Sequence, residues 1–328
     1  MSYLFPLEGC EPRLAEVVGG KAVGLGWLMR EELRVPPGFA VGTHAYREFV
    51  TDTGLDRTIH DLLKDAGSVD EQAEVSRRIR SLFDEHEAGS ALREELAQAY
   101  ERLGVDRPVA VRSSAISEDA AAASFAGEHD TFLWVVGEEE VVRAVLACWA
   151  SLFTPQALAY FGRVGLHPDE SAMGVVVQAM VAAEAAGAMM TLDPVTGDRS
   201  QITIEGSYGL GEAVVAGEVN PDRYAVDKIT LEIRSRTVSA KHVASRFAPT
   251  LGEVRLGEVP LAEQLLPCLS DDEIVALATL GKRVERSLRA AQDIEWAIDA
   301  SREVHLLQTR PETVWSAKHS PAATGGHP

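Results

Sequence analysis

Residues Met173 to Thr191 read MGVVVQAMVAAEAAGAMMT, a run almost wholly apolar or small. Its length is about what a helix needs to cross a bilayer. Gln178 and Glu184 interrupt it, and Gly174 and Gly187 weaken it as a helix. Val175-Val176-Val177 and Met189-Met190-Thr191 instead have the composition of two short buried strands joined by an alanine-rich bend. This reading makes the stretch core and hinge. A boundary near Val181 to Ala186 then divides the chain into a first lobe, 1–182, and a second, 183–315. Nucleotides often sit in a cleft between two such lobes. Residues 316–328 are small, polar and proline-containing, the pattern of a disordered tail.

Working outward, the 328 residues are 46% hydrophobic and 25% charged, ordinary values for a soluble globular chain. The net charge of −19 excludes a nucleic-acid binder held by a general basic surface. It leaves room for a small anion in a locally basic pocket. Cys10, Cys148 and Cys268 are far apart and form no metal-ligand spacing, which fits reduced cysteines in a cytoplasmic protein. Met1 to Glu16 lacks the apolar core of a signal peptide.

Along the chain, a helical pattern follows Gly19-Gly20-Lys21 to about Leu33, and Val35-Pro36-Pro37-Gly38 stops it before a strand at Phe39 to Val41. Val69 to Leu103 carries apolar residues at helical spacing. Val109 to Ser113 and Thr131 to Val136 read as strands around a polar, alanine-rich loop, and Val141 to Leu152 as a helix. Ile202 to Glu205 is a strand leading into a glycine-rich loop, Gly206 to Gly217. Tyr224 to Val226 and Ile229 to Ile233 predict a hairpin turning at Asp227-Lys228. Ser270 with Glu273 is a capping box opening a helix to about Arg289. Ile294 to Ile298 and Val304 to Thr309 form a last hairpin. Mixed elements without regular βαβ spacing predict an α+β fold.

No standard phosphate loop is present. Gly20-Lys21 is followed by Ala22, not Ser or Thr, and both Gly-x-Gly pairs lack the third glycine. Three constellations remain. Gly19-Gly20-Lys21 at a helix start is either an anion site or a plain cap. Arg112 ends an apolar strand, where a charge needs either an ion-pair partner or a ligand. In the last hairpin, Glu295 lies on the face opposite Ile294, Trp296 and Ile298, and Gln308 shares a face with Arg310. A carboxylate and an amide oxygen are hard ligands suited to Mg²⁺, and an adjacent arginine would neutralise a transferring phosphoryl group. The plainer reading is an ion pair between Glu295 and Arg310.

Taken in order, these motifs resemble a family. Gly19-Gly20-Lys21-Ala22, Val35-Pro36-Pro37-Gly38-Phe39, Val109-Ala110-Val111-Arg112-Ser113-Ser114, Ser124-Phe125-Ala126-Gly127, Gln178-x-Met180-Val181 and Asp193-Pro194 belong to the set. So do Gly209-Leu210-Gly211-Glu212, Pro221-Asp222, Gln292-Asp293-Ile294-Glu295-Trp296-Ala297 and Leu307-Gln308-x-Arg310-Pro311. They are similar to the nucleotide-binding domain of pyruvate, phosphate dikinase and phosphoenolpyruvate synthase, which rifampin phosphotransferase also carries. The resemblance runs from about Gly19 to Pro311.

The resemblance implies an ATP-grasp fold binding ATP and Mg²⁺. Lys21 and Arg112 would contact phosphates, and Gly127 and Thr131 would belong to the loop covering them. Gln178, Met180 and Val181 would read the adenine edge, with Glu184 near the ribose. Glu295 and Gln308 would hold Mg²⁺, and Arg310 would stabilise the transferred group, so that Lys21, Arg112 and Arg310 are the catalytic candidates. Such proteins cleave ATP to AMP and phosphate and first phosphorylate a histidine on a separate swivelling domain, which this sequence does not contain. The expectation is an ATP-binding component that passes its phosphoryl group to a histidine domain in trans, and ultimately to pyruvate or a small-molecule acceptor. The alternatives are a kinase acting directly on a small molecule, or a non-catalytic ATP-binding regulatory subunit.

Overall fold

The computed structural model describes residues 2–64, 68–115, 130–164 and 168–315. Contacts divide the chain into two units, Met1–Met180 and Val181–Pro328. The stretch quoted first is two strands, Met173–Ala179 and Ala183–Met190, and Met180 is the last residue of the first unit. Every residue of Met173–Ala179 is buried, as a strand covered on both faces requires.

The first unit holds strands β1 (Leu4–Pro6), β2 (Gly38–Val41), β3 (Val109–Ala115), β4 (Thr131–Val135) and β5 (Met173–Ala179) in the order β1-β2-β5-β3-β4, each pair antiparallel. Its helices are α1 (Ala15–Arg30), α2 (Thr43–Asp52), α3 (Leu55–Leu63), α4 (Val69–Glu85), α5 (Ser90–Leu103), α6 (Glu138–Ala150) and α7 (Pro155–Val164). Phe49, Phe83, Trp149 and Phe153 form an aromatic cluster in its core, with ring centroids 5.5–6.0 Å apart. The helical spacing read over Val69 to Leu103 is two helices, α4 and α5, broken at His86 to Gly89.

Helix α1 is not continuous. Gly19 takes φ +79°, ψ 167°, and kinks it. A Cβ there would lie 2.0 Å from the Ser114 carbonyl oxygen, so only glycine admits both the left-handed backbone and the close approach to β3. The regular helix restarts at Gly20-Lys21, where the sequence placed a helix start.

The second unit holds β6 (Ala183–Met190), β7 (Gln201–Tyr208), α8 (Glu212–Val215), β8 (Asp222–Asp227), β9 (Ile233–Thr237), β10 (Val243–Ala248), β11 (Glu253–Glu258), α9 (Asp271–Leu288), β12 (Gln292–Asp299) and β13 (Val304–Pro311). Six strands make one antiparallel sheet in the order β13-β12-β6-β7-β8-β9, and β10 pairs with β11 separately. Helix α9 opens with the predicted capping box, Ser270 with Glu273, and closes on Arg289 in the left-handed region. It lays Ile274, Leu277, Ala278 and Val284 against the sheet. On that face Trp296 is fully buried and its ring lies 2.7 Å from where a Cβ on Gly206 would stand.

Two details differ from expectation. The hairpin after β8 turns later than Asp227-Lys228: Asp227 Oδ1 accepts from the Ile229 and Thr230 amides at 2.8 Å, and Leu231 takes φ +62°. That aspartate-built turn delays the returning strand to Ile233. The glycine-rich stretch after Glu205 also begins as strand, to Tyr208, and contains the single helical turn α8. The predicted tail, 316–328, lies outside the described residues.

The fold is α+β, as the spacing predicted. Among the described residues no single helix is long and apolar enough to cross a membrane. The three thiols are buried and free. Burial pushes each above the ordinary cysteine range, Cys10 to about 12, so they are poor nucleophiles.

Candidate functional site

In the first unit, the Gly19 kink brings α1 onto the end of β3. The Ala22 amide donates to Ser114 Oγ at 3.4 Å, and Lys21 Nζ donates to the Ser113 carbonyl at 2.8 Å. Lys21 is thus anchored beside Arg112, the preceding residue of β3. Arg112 is half-buried and stands directly across from Thr131 on β4. The three residues Lys21, Arg112 and Thr131 are therefore grouped at one edge of the sheet. Gly127 lies outside the described residues, as does His129.

Gln178 is placed differently from its neighbours in the motif. It is 2% exposed, sits between Gly38 and Ala110 in the sheet, and donates from Nε2 to the Pro36 carbonyl at 3.3 Å. Its side chain braces the Pro36-Pro37 segment that leads into β2. The segment that follows is tied by its backbone: the Ala179 amide donates to Pro37 and the Met180 amide to Pro108, at 2.8 and 2.9 Å. Met180 and Val181 are half-buried. In the second unit, Glu184 presents an exposed side chain, and its carbonyl accepts from the Gly209 amide at 3.0 Å.

The polar constellation of the second unit is built by strand alternation. On β12, Ile294, Trp296 and Ile298 enter the core beneath α9, so Asp293 and Glu295 point to the other face. Across to β13, Glu295 stands opposite Gln308 and Asp293 opposite Arg310. The ladder shifts by one residue just after Glu295, so that Trp296 opposes Leu306. That bulge keeps Leu306 in the core while Gln308 and Arg310 stay on the polar face.

Asp293 holds Arg310. Its Oδ2 accepts from Nε at 2.9 Å and from Nη2 at 2.6 Å. Burial raises the Asp293 carboxyl above the ordinary range, and the guanidinium only partly offsets this. Gln308 is 8% exposed, and its side-chain amide makes no hydrogen bond among the described residues. A carboxylate and a free amide oxygen directly opposite one another are a donor set that fits a hard divalent cation.

The same face continues over the neighbouring strands. Glu295 stands beside Ala188 on β6, Ala188 beside Glu205 on β7, and Glu205 beside Arg223 on β8. Asp293, Glu205 and Arg223 were not among the predicted site residues. Period-two alternation puts each on some face, but only the register across four strands puts them on one.

A family model described as the pyruvate phosphate dikinase AMP/ATP-binding domain matches residues 15–326. A phosphoenolpyruvate synthase from Aeropyrum pernix is 40% identical over 96% of this chain and 43% of its own length. A rifampicin phosphotransferase from a Streptomyces species is 42% identical over 92% of this chain and 34% of its own. The chain thus spans less than half the length of these relatives. Among solved structures, Candidatus Korarchaeum cryptofilum ACD1 in complex with coenzyme A shares 14% identity over 77% of this chain and 98% of its own, with a TM-score of 0.33. D-alanyl-alanine synthetase A from Vibrio cholerae shares 11% over 73% and 55%, with a TM-score of 0.29. Assignment rests on the sequence match, which covers nearly the whole chain: it belongs to the pyruvate phosphate dikinase AMP/ATP-binding domain family.

Proposed function

We propose that the chain is the ATP-binding catalytic component of a dikinase-type phosphotransferase with an ATP-grasp fold. It binds Mg·ATP in the cytoplasm, cleaves it to AMP and phosphate, and passes a phosphoryl group to a histidine on a domain outside residues 1–328. The final acceptor is pyruvate or another small molecule. The observation that carries this reading is the polar sheet face, where Glu295 opposes Gln308 and Asp293 clamps Arg310.

In this reading Glu295 and Gln308 hold Mg²⁺, whose charge offsets that of the phosphates. Arg310 is kept in one orientation by Asp293 and neutralises charge developing on the transferred group. Lys21 and Arg112 are the phosphate contacts of the first unit, and Thr131 belongs to the same group. Positioning and charge suffice for this chemistry, because phosphoryl transfer asks for little covalent work from the protein. Gln178 acts through its bond to the Pro36 carbonyl and the backbone of Met180 and Val181 offers the hydrogen-bonding edge to the base, with Glu184 near the ribose.

The test uses ATP labelled in turn at the β and γ positions, with Mg²⁺ and a histidine domain taken from a longer relative. The expected result is AMP, free phosphate from one position and a label on the histidine domain. ADP as the sole product, or no label on the domain while ATP is bound, overturns the reading.

A further inference from the structure

The polar face of the six-stranded sheet carries a second guanidinium that neither motif nor family match singles out. Arg223 on β8 lies in the same row as Glu295, separated by Ala188 and Glu205. Three strand spacings put the two backbones about 14 Å apart. The residue between the two acidic side chains is alanine, so the row has a low floor with Glu295 and Gln308 on one side and Glu205 and Arg223 on the other.

Arg223 is held unlike Arg310. Its Nε lies 3.7 Å from Glu205 Oε1 and its Nη2 lies 3.7 Å from Asp193 Oδ2. Both distances exceed a hydrogen bond. Asp193 is already committed: Oδ1 accepts from the Val195 and Thr196 amides at 2.8 Å, and Oδ2 from Gln201 Nε2 at 2.9 Å. Burial alone would raise the Asp193 carboxyl, but the Thr196 and Val195 amides, with Arg223, outweigh it and hold it below the ordinary range. Two carboxylates therefore aim the Arg223 guanidinium while leaving its donors unspent, and its side chain is 38% exposed. Arg310, by contrast, closes on Asp293 at 2.9 and 2.6 Å, so its fork is partly committed where that of Arg223 is not.

Other polar groups on this face share that condition. Thr203 and Ser207 stand on either side of Glu205 along β7, and neither hydroxyl has a hydrogen-bond partner among the described residues. Unspent donors and acceptors collected beside a cation-suited pair are a set that a polyanion with its cation can satisfy.

We propose that Arg223 is a phosphate ligand of the bound nucleotide, meeting the phosphate chain from the side opposite Glu295 and Gln308. The proposal rests on the reading of the chain as an ATP-binding component. Arginine suits the role because its planar fork pairs with two phosphate oxygens at once, which lysine does not reproduce.

The experiment titrates the full chain with ATP, ADP and AMP, each with Mg²⁺, by calorimetry, for the parent, Arg223→Met and Arg223→Lys. Arg223→Met is expected to weaken ATP about tenfold, ADP less, and AMP not measurably. Arg223→Lys is expected to weaken ATP about threefold, and it stands in for the first variant should that one fail to fold. ATP affinity unchanged in a folded variant, or equal losses for ATP and AMP, overturns the role of Arg223 while the proposed function stands. A parent chain that binds no ATP overturns the function, and the role with it.

Discussion

The two faces of the six-stranded sheet are made by the same strands and have opposite contents. Under α9 the face carries Met189, Ile204, Tyr224, Ile294, Trp296 and Ile298, nearly all fully buried. The other face carries Asp293, Glu295, Gln308, Arg310, Glu205 and Arg223. Neighbouring residues thus serve different ends: Ile294 and Trp296 flank Glu295, and burying them fixes where its carboxylate points. Packing on one face is what gives the other its geometry.

The sharpest way to break this division is at Arg310. Arg310→Ala removes a guanidinium from the polar face, and transition-state arginines of this kind are worth on the order of 10³ in rate. AMP formation should fall by about that factor while the melting temperature stays within a few degrees of the parent. A comparable loss in both would mean the two faces are not separable. On the buried face, Trp296→Ala should cost about 3–5 kcal/mol in denaturant unfolding, the usual range for emptying so large a site. ATP affinity per folded molecule should change far less, since no polar residue is removed.

Gly206 gives a finer test of the same face. A methyl there would stand 2.7 Å from the Trp296 ring. Gly206→Ala should therefore destabilise by about 1–3 kcal/mol through overpacking, although alanine is otherwise the better strand residue. A neutral or stabilising result would show that the indole has room to shift.

How much of this was legible in the sequence depended on range. The Met173 to Thr191 stretch resolved into two strands because Gln178, Glu184 and two glycines are incompatible with a membrane helix, and composition alone carries that. The faces of β12 followed from Ile294, Trp296 and Ile298 alternating with Glu295. The capping box at Ser270 is local chemistry and was equally readable. The β8–β9 turn was misplaced because Asp227 can end a tight hairpin or build a wider turn, and the side-chain hydrogen bonds that choose between them are not in the spacing. Asp293 as the clamp on Arg310, and Arg223 in the row of Glu295, depend on register between paired residues 17 to 107 positions apart. A one-residue slip would move each to the opposite face. The order of Gly19 to Pro311 motifs supplied through family resemblance what spacing could not.

The smallest expected effect lies at the cap of α9, the helix that covers the buried face. Glu273 accepts from the Ser270 amide at 2.7 Å and from Arg302 Nε and Nη2 at 2.5 Å. Burial would raise its carboxyl, but Arg302 and Ser270 outweigh burial and hold it below the ordinary glutamate range. A carboxylate depressed in the folded state binds its proton more readily when unfolded. Its stabilising contribution is therefore fully present above the unfolded glutamate value, and it is lost as pH falls through that value toward the lower folded one. Arg302 is half exposed, so solvent screens the pair and the contribution is on the order of 1 kcal/mol or less. The expected measurement is a difference in acid sensitivity: between neutral pH and the acid limb, the parent should lose this increment relative to Glu273→Gln, which has no such proton to bind. Identical pH profiles for the two would place the acid lability elsewhere, with Asp227, held down to about 2 by the Thr230 and Ile229 amides and by Arg234, the next carboxylate to replace.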